Sequence, residues 1–175
     1  MSNMLPQLGT IEGYFGKPWN WVDRTHVMQT LAPHGYRFFI YAPKADEHLR
    51  RRWKEPHPRE TQDALAAFAA SCRGAGVRFG VGLSPFEVYR HFDDEARATL
   101  RTRIAALEAV GLDDLAILFD DMRGDIPDLA QRQAAIIGFV AGCTKASRLI
   151  MCPSYYSDEV VLDRVFGARP ANYLE

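Results

Sequence analysis

Cysteine is scarce in this chain, and long apolar runs are absent. The three cysteines, Cys72, Cys143 and Cys152, are odd in number, far apart and without a C-x-x-C pair. That spacing gives no zinc knuckle and no disulfide framework, and it suits reduced thiols in a cytoplasmic protein. No apolar stretch approaches the ~20 residues of a membrane-spanning helix. The first ten residues lack the basic-then-apolar pattern of a secretory signal. A surplus of either charge is missing too. Lys and Arg total 21 against 22 Asp and Glu, for a formal net charge of -1. Neither nucleic acid nor an anionic membrane is therefore expected as a partner. His26, His34, His48, His57 and His91 are scattered without metal-ligand spacing. The most basic run, Arg50-Arg51-Arg52-Trp53-Lys54, is followed by Glu55, Glu60 and Asp63, so it reads as a solvated or salt-bridged loop.

What is present is the composition of one folded domain. The 175 residues, 47% apolar, are enough for a sizeable core. Strand and helix patterns alternate. Strands are expected at 8–13, 38–42, 77–83, 115–119 and 148–152. The first helix is expected from about 21 to 34, with Asn20 at its N-cap and Val22, Val27 and Leu31 on one face. A long polar loop follows the second strand as far as Pro58. A helix to about Arg73, a strongly amphipathic helix over 93–110, and a helix over 129–143 with Asp128 as its N-cap come next. A last helical stretch covers 158–165. The repeat is roughly 30–40 residues, one βα unit. This predicts a parallel sheet in order 1-2-3-4-5 with helices outside. The internal glycines Gly80 and Gly82 allow either tight packing or close approach of a ligand.

Leu115-Ala116-Ile117-Leu118-Phe119 ends abruptly in Asp120-Asp121. A buried strand with charge at its carboxyl end puts that charge where α/β sheets bind ligands. Two adjacent carboxylates repel, which favours keeping a proton on one of them, so the pair suits acid and base work. The pair equally suits a solvated helix cap. On a regular strand the two would face opposite sides, so both serve one substrate only if the chain leaves the pleat at Phe119 or Asp120. Other distinctive residues follow other strands: Gly13-Tyr14-Phe15-Gly16, Lys44, and Pro153-Ser154-Tyr155-Tyr156. Singly, Lys44 reads as an ordinary surface lysine, Tyr155 and Tyr156 as packing residues, and Cys152 as a small core residue. Jointly they fall on the strand ends that crowd one face of a barrel.

The ordered motifs Ile11-Glu12-Gly13-Tyr14-Phe15-Gly16-Lys17-Pro18-Trp19, Tyr41-Ala42-Pro43-Lys44, Leu83-Ser84-Pro85, Leu118-Phe119-Asp120-Asp121-Met122 and Cys152-Pro153-Ser154-Tyr155-Tyr156 resemble the catalytic domain of glycoside hydrolase family 84, the O-GlcNAcase and bacterial β-N-acetylglucosaminidase (hyaluronidase-like) family. The resemblance covers nearly the whole chain. It implies an α/β fold, a (β/α)8 TIM barrel. It implies removal of terminal β-linked N-acetylglucosamine from a glycan or glycoprotein with retention, without a metal or other cofactor. The implied nucleophile is the substrate's own 2-acetamido oxygen, which gives an oxazoline, an exception to the two-carboxylate scheme. Asp120 would orient the acetamido N–H. Asp121 would protonate the leaving oxygen and then deprotonate water. Gly13, through its carbonyl, and Lys44 would bind sugar hydroxyls. Cys152 and Tyr156 would line the acetamido pocket.

Three departures stand out. Tyr14-Phe15 reverses the family's common Phe-Tyr order, and Ser154-Tyr155 stands where Thr-Glu is frequent. A full barrel has eight units and roughly 250 residues, so about five units are expected here, and these residues alone are expected to turn over little or no substrate. Two other readings compete. One is a non-catalytic partial barrel that binds sugar or self-associates through its exposed first and fifth strand edges. The other is a Mg²⁺-dependent hydrolase with Asp120, Asp121 and Asp125 as ligands.

Overall fold

The computed structural model describes residues 7–173. Five strands, β1 (Leu8–Glu12), β2 (Tyr36–Tyr41), β3 (Arg78–Leu83), β4 (Asp114–Leu118) and β5 (Arg148–Cys152), alternate with five helices. These are α1 (Trp21–Leu31), α2 (Arg59–Gly74), α3 (Asp94–Glu108), α4 (Leu129–Cys143) and α5 (Val160–Phe166). Every strand pairs parallel with the next, in order β1-β2-β3-β4-β5. The result is five βα units of a partial (β/α) barrel, as the alternation predicts. Among the described residues no helix is long and apolar enough to cross a membrane.

The period-2 pleat divides the strand residues into two layers. Phe39, Tyr41, Phe79, Val81, Leu115 and Ile117 face outward and pack with the helices in the main core. Ile40, Ala42, Ala116 and Leu118 form a smaller inner cluster, with Phe38, Ile150 and Cys152 against it. β3 contributes glycine to that inner face. A Cβ at Gly82 would lie 2.6 Å from Ala42 Cβ and 2.8 Å from Leu118 Cδ1. Gly82 therefore serves packing: side chains from β2 and β4 meet across it. β4 is buried along its whole length, which is why its sequence is uniformly apolar above Asp114.

Local structure departs from the sequence pattern in three places. Asn20 caps α1 as expected, its side chain accepting from the Asp23 N–H at 2.8 Å. The helix nevertheless buries Arg24 and Met28, while Val22 is 77% exposed. The cause is Glu12, fully buried on the outward face of β1: a buried carboxylate demands a counter-ion, and Arg24 turns inward to supply it. Asp128 does not cap α4 with its side chain. Its backbone is left-handed (φ 58°) instead of the extended form that lets a cap side chain reach the first amides. The polar loop after β2 is not simply solvated. It contains a 3₁₀ turn (Glu47–Leu49) and buries Leu49, Trp53 and His57.

Two glycine substitutions separate these packing statements. Gly82→Ala should destabilise the fold by about 1–3 kcal/mol, the usual cost of overpacking. Gly138→Ala, in α4 with nothing within 4 Å of the added methyl, should stabilise it by about 0.5–1 kcal/mol through helix propensity. Urea denaturation of both variants checks the pair. A neutral Gly82→Ala would contradict the close meeting of β2 and β4.

Candidate active site

The site is built from what happens where β4 ends. The Phe119 N–H donates to the Cys152 carbonyl at 2.8 Å, extending the β4–β5 ladder by one residue. Phe119 is fully buried in the outer core, so by alternation Asp120 turns to the concave side and Asp121 should turn away from it. Asp121 instead adopts a left-handed backbone (φ 59°), and Met122 takes the buried position after it. The regular strand ends at Leu118 and a turn begins at Asp120, so the chain has left the pleat before the left-handed Asp121, as a shared site requires. Both carboxylates reach the same cation. Lys44 Nζ lies 2.6 Å from Asp120 Oδ2 and 3.2 Å from Asp121 Oδ2. The Lys44 side chain is only 2% exposed, so it is no ordinary surface lysine. Its charge offsets the repulsion between the two carboxylates. Asp120 Oδ1 is buried with no hydrogen-bond partner among the described residues.

Backbone zipping delivers Lys44 to this point. The Ala42 N–H donates to the Glu12 carbonyl and the Lys44 N–H to the Tyr14 carbonyl, both at 3.2 Å. β1–β2 pairing therefore continues past the strands, and half-buried Gly13 is held beside Lys44. The same loop is pinned by Glu12. Its carboxylate accepts from Arg24 Nε at 2.6 Å, from Arg24 Nη2 at 2.9 Å and from the Trp19 N–H at 3.1 Å. The Arg24 guanidinium lies 4.4 Å from the Trp21 ring and 4.7 Å from the Tyr41 ring. Breaking such a buried pair typically costs about 3–5 kcal/mol. A charged residue closing an apolar strand was the one hint of Glu12 in the sequence.

On the β5 side, Cys152 is half-buried on the inner face. Burial, then the Asp120 charge, push its thiol up to about 11, with Lys44 working the other way. Tyr156 is 51% exposed. Burial and the charges of Asp121 and Asp120 raise its phenol. Gly13, Lys44, Asp120, Asp121, Cys152 and Tyr156 therefore gather at the carboxyl ends of the strands. Tyr155 packs against Phe166 and Tyr173 and donates to the Gly167 carbonyl at 2.7 Å. Ser154 is wholly buried. Its hydroxyl donates to the Phe119 carbonyl and accepts from Gln133 Nε2, each at 2.8 Å, and Gln133 Oε1 accepts from the Tyr173 hydroxyl at 2.8 Å. That relay fixes the peptide just before Asp120.

Asp125 stands apart. It pairs with Arg123 through two bonds, one of them Nε to Oδ1 at 3.0 Å. With Asp125 so engaged and Lys44 between Asp120 and Asp121, the three aspartates do not form the oxygen cage that a Mg²⁺ site needs.

His57 was overlooked in the sequence because it lacks metal-ligand spacing, yet it is buried. Arg103 Nη2 lies 3.0 Å from His57 Nδ1. A guanidinium only donates, so Nδ1 accepts and the ring proton sits on Nε2, 2.9 Å from Asp46 Oδ2. Tyr41 also donates to Asp46 Oδ2, at 2.8 Å. Burial pushes the Asp46 carboxyl up, but hydrogen bonds from His57, Tyr41 and the His48 N–H outweigh it and hold the carboxyl below its ordinary value. This cluster anchors the loop that begins at Lys44. A cleft of about 460 Å³ beside it, lined by Trp19, Trp21, Asp46, His48, Pro58 and Thr61 among others, lies outside the barrel and touches neither catalytic candidate.

The proximity of Cys152 to Asp120 is testable by alkylation. With its thiol near 11, Cys152 at pH 8 should react with iodoacetamide on the order of 10²-fold more slowly than a free thiol of pKa ~8.5. Asp120→Asn removes a charge that raises the thiol, so it should speed the reaction, as peptide mass spectrometry of the modified chain would show. An unchanged rate would separate the two groups.

Residues 8–169 match the family model described as beta-N-acetylglucosaminidase (NAGidase). The proteins named Protein O-GlcNAcase from Rattus norvegicus and Mus musculus are each 26% identical over 114 residues, 65% of this chain and 12% of theirs. A solved mutant of the O-GlcNAc hydrolase of Thermobaculum terrenum superposes with a TM-score of 0.76 at 26% identity, over 94% of this chain and 39% of that one. The chain thus spans about an eighth of the length of these curated relatives. Its match to the family model covers nearly all of its own length, and the chain belongs to the beta-N-acetylglucosaminidase family.

Proposed function

We propose that this chain supplies the carboxylate-bearing part of a site that removes terminal β-linked N-acetylglucosamine from a glycan or glycoprotein with retention of configuration. The observation that carries the reading is Lys44 Nζ bridging Asp120 and Asp121, with Asp120 Oδ1 buried and unpartnered. A buried anionic oxygen without a donor is costly, and an acetamido N–H is a donor of the right kind. In this mechanism the 2-acetamido oxygen attacks C1 as the glycosidic C–O bond breaks. Asp121 gives its proton to the departing oxygen. Asp120 accepts from the acetamido N–H and stabilises the positive charge that develops on the forming oxazoline. Water then attacks C1, Asp121 takes its proton, and the acetamido group is restored. Two displacements at C1 give net retention.

The 0.6 Å difference between the two Lys44 contacts, 2.6 and 3.2 Å, suits this division. Asp120 is the more tightly paired anion, and Asp121 is the freer group for moving a proton. Gly13, through its carbonyl, and Lys44 bind sugar hydroxyls, while Cys152 and Tyr156 line the acetamido pocket. A second reading, self-association, is favoured by the outer edges of β1 and β5, which pair with no further strand among the described residues.

Mutants of the natural protein that carries this chain test the roles. Asp120→Asn should lower activity on the order of 10²–10³-fold for every leaving group, the scale of losing one preorganised electrostatic contact. Asp121→Asn should spare a nitrophenyl substrate, whose leaving group needs little help, and strongly impair a serine- or sugar-linked one. Azide should rescue Asp121→Ala on good leaving groups and not Asp120→Ala. Identical leaving-group dependence and azide response in both mutants would refute the assignment.

A further inference from the structure

We infer that Arg50 is the positioning residue that sets Asp121 for proton transfer, acting through the Asp121 main chain and not through the substrate. The inference rests on the proposed general-acid role of Asp121. Arg50 Nη2 donates to the Asp121 carbonyl at 3.0 Å. The guanidinium lies 5.3 Å from the Phe15 ring and 5.5 Å from the Phe86 ring, both within the ~6 Å range of cation–π attraction. Phe15 follows β1, Arg50 follows β2, Phe86 follows β3 and Asp121 follows β4. One guanidinium therefore joins four consecutive strand-end loops.

Asp121 gains from such a restraint. Its left-handed backbone (φ 59°) is uncommon for a residue with a Cβ, although Asp adopts it more readily than most. That backbone is what keeps its carboxylate on the concave side with Lys44. Three things oppose its relaxation. Lys44 holds the side chain at 3.2 Å, Met122 is buried immediately after it, and Arg50 fixes its carbonyl. Among the described residues, only Arg50 hydrogen-bonds to the main chain of Asp121. The Arg50 backbone is in turn tied to its own loop, its N–H donating to the Glu47 carbonyl at 3.0 Å. The loop before it is joined to the end of β3 by the Ser84 N–H donating to the Leu49 carbonyl at 2.7 Å. A flat guanidinium can lie between two rings while one edge donates to a carbonyl, and a lysine ammonium cannot reproduce that arrangement in full. A general acid must lie within hydrogen-bond reach of the leaving oxygen. A shift of ~1 Å is enough to lose on the order of 10²-fold in rate.

The test compares leaving groups in Arg50→Met and Arg50→Lys variants of the natural protein, with Asp121→Ala in parallel. Arg50→Met should lower kcat on an alcohol-linked aglycone on the order of 10–10²-fold, with a much smaller loss on a nitrophenyl substrate and little change in KM for either. Arg50→Lys should restore part of the loss. Equal losses on both substrates, tracking a lowered Tm, would mark Arg50 as structural only and overturn the inference. A steep leaving-group dependence in Asp121→Ala with none in Arg50→Met would also overturn it. If Asp121→Ala shows none, the general-acid reading of Asp121 fails first. A readout independent of turnover is the backbone ¹³C shift of Asp121 in the natural protein. It should leave left-handed values in Arg50→Met, and unchanged shifts would contradict the inference.

Discussion

The structure depends most on one buried ammonium. Lys44 Nζ lies within 3.2 Å of two carboxylates from adjacent residues, and its side chain is almost wholly out of water. Desolvating a lysine is expensive, and only close counter-charges repay it. Two adjacent carboxylates on one concave surface repel when both are ionised, and a cation between them relieves that repulsion, as a proton on one of them also does. Each half of the arrangement makes the other tolerable. Neither half forms unless β2 and β4 end at the same height and Asp121 turns back instead of following the pleat.

The polar networks around the site hold those ends in register. Glu12 and Arg24 fix the loop after β1. Asp46, His57 and Arg103 fix the loop after β2. Ser154, Gln133 and Tyr173 tie the start of the loop after β5 to the Phe119 carbonyl. They set the positions of Lys44, Asp120 and Asp121, and the proposed electrostatic catalysis relies on donors and charges that need not move during reaction. The apolar layers do the coarser work. Gly82 lets Ala42 and Leu118 close the inner face. That leaves the carboxylates as the first polar groups above the apolar cluster of Ile40, Ala42, Ala116 and Leu118.

Much of this was legible in the sequence, for identifiable reasons. β4 was readable because a strand buried on both faces must be apolar throughout, and the change to Asp120 then marks its end. The glycine-flanked loop after β1 and Lys44 after β2 were readable because strand ends recur at one βα period. Three features were hidden. Glu12 and Arg24 pair across 12 residues and two elements, so helical periodicity misplaced the buried face of α1. Arg50 was masked by Arg51 and Arg52, which share its charge but make no bond to Asp121. His57 gave no signal, because its partners Asp46 and Arg103 come from separate parts of the chain and residue spacing does not reveal them. The exit from the pleat around Phe119 and Asp120 was foreseen as a need, but the left-handed backbone of Asp121 was not, since nothing local distinguishes two adjacent aspartates.

The central claim is that Asp120 serves the substrate's own amide as nucleophile, and the most direct measurement is the rate dependence on that amide. Substrates carrying acetyl, monofluoroacetyl, difluoroacetyl and trifluoroacetyl groups on the 2-nitrogen differ in amide oxygen basicity and little in shape. With the natural protein carrying this chain, kcat/KM should fall steeply and steadily with each fluorine, because the attacking oxygen weakens while the leaving group stays the same. A flat series would mean that the amide is not the nucleophile and that one of the two carboxylates attacks instead.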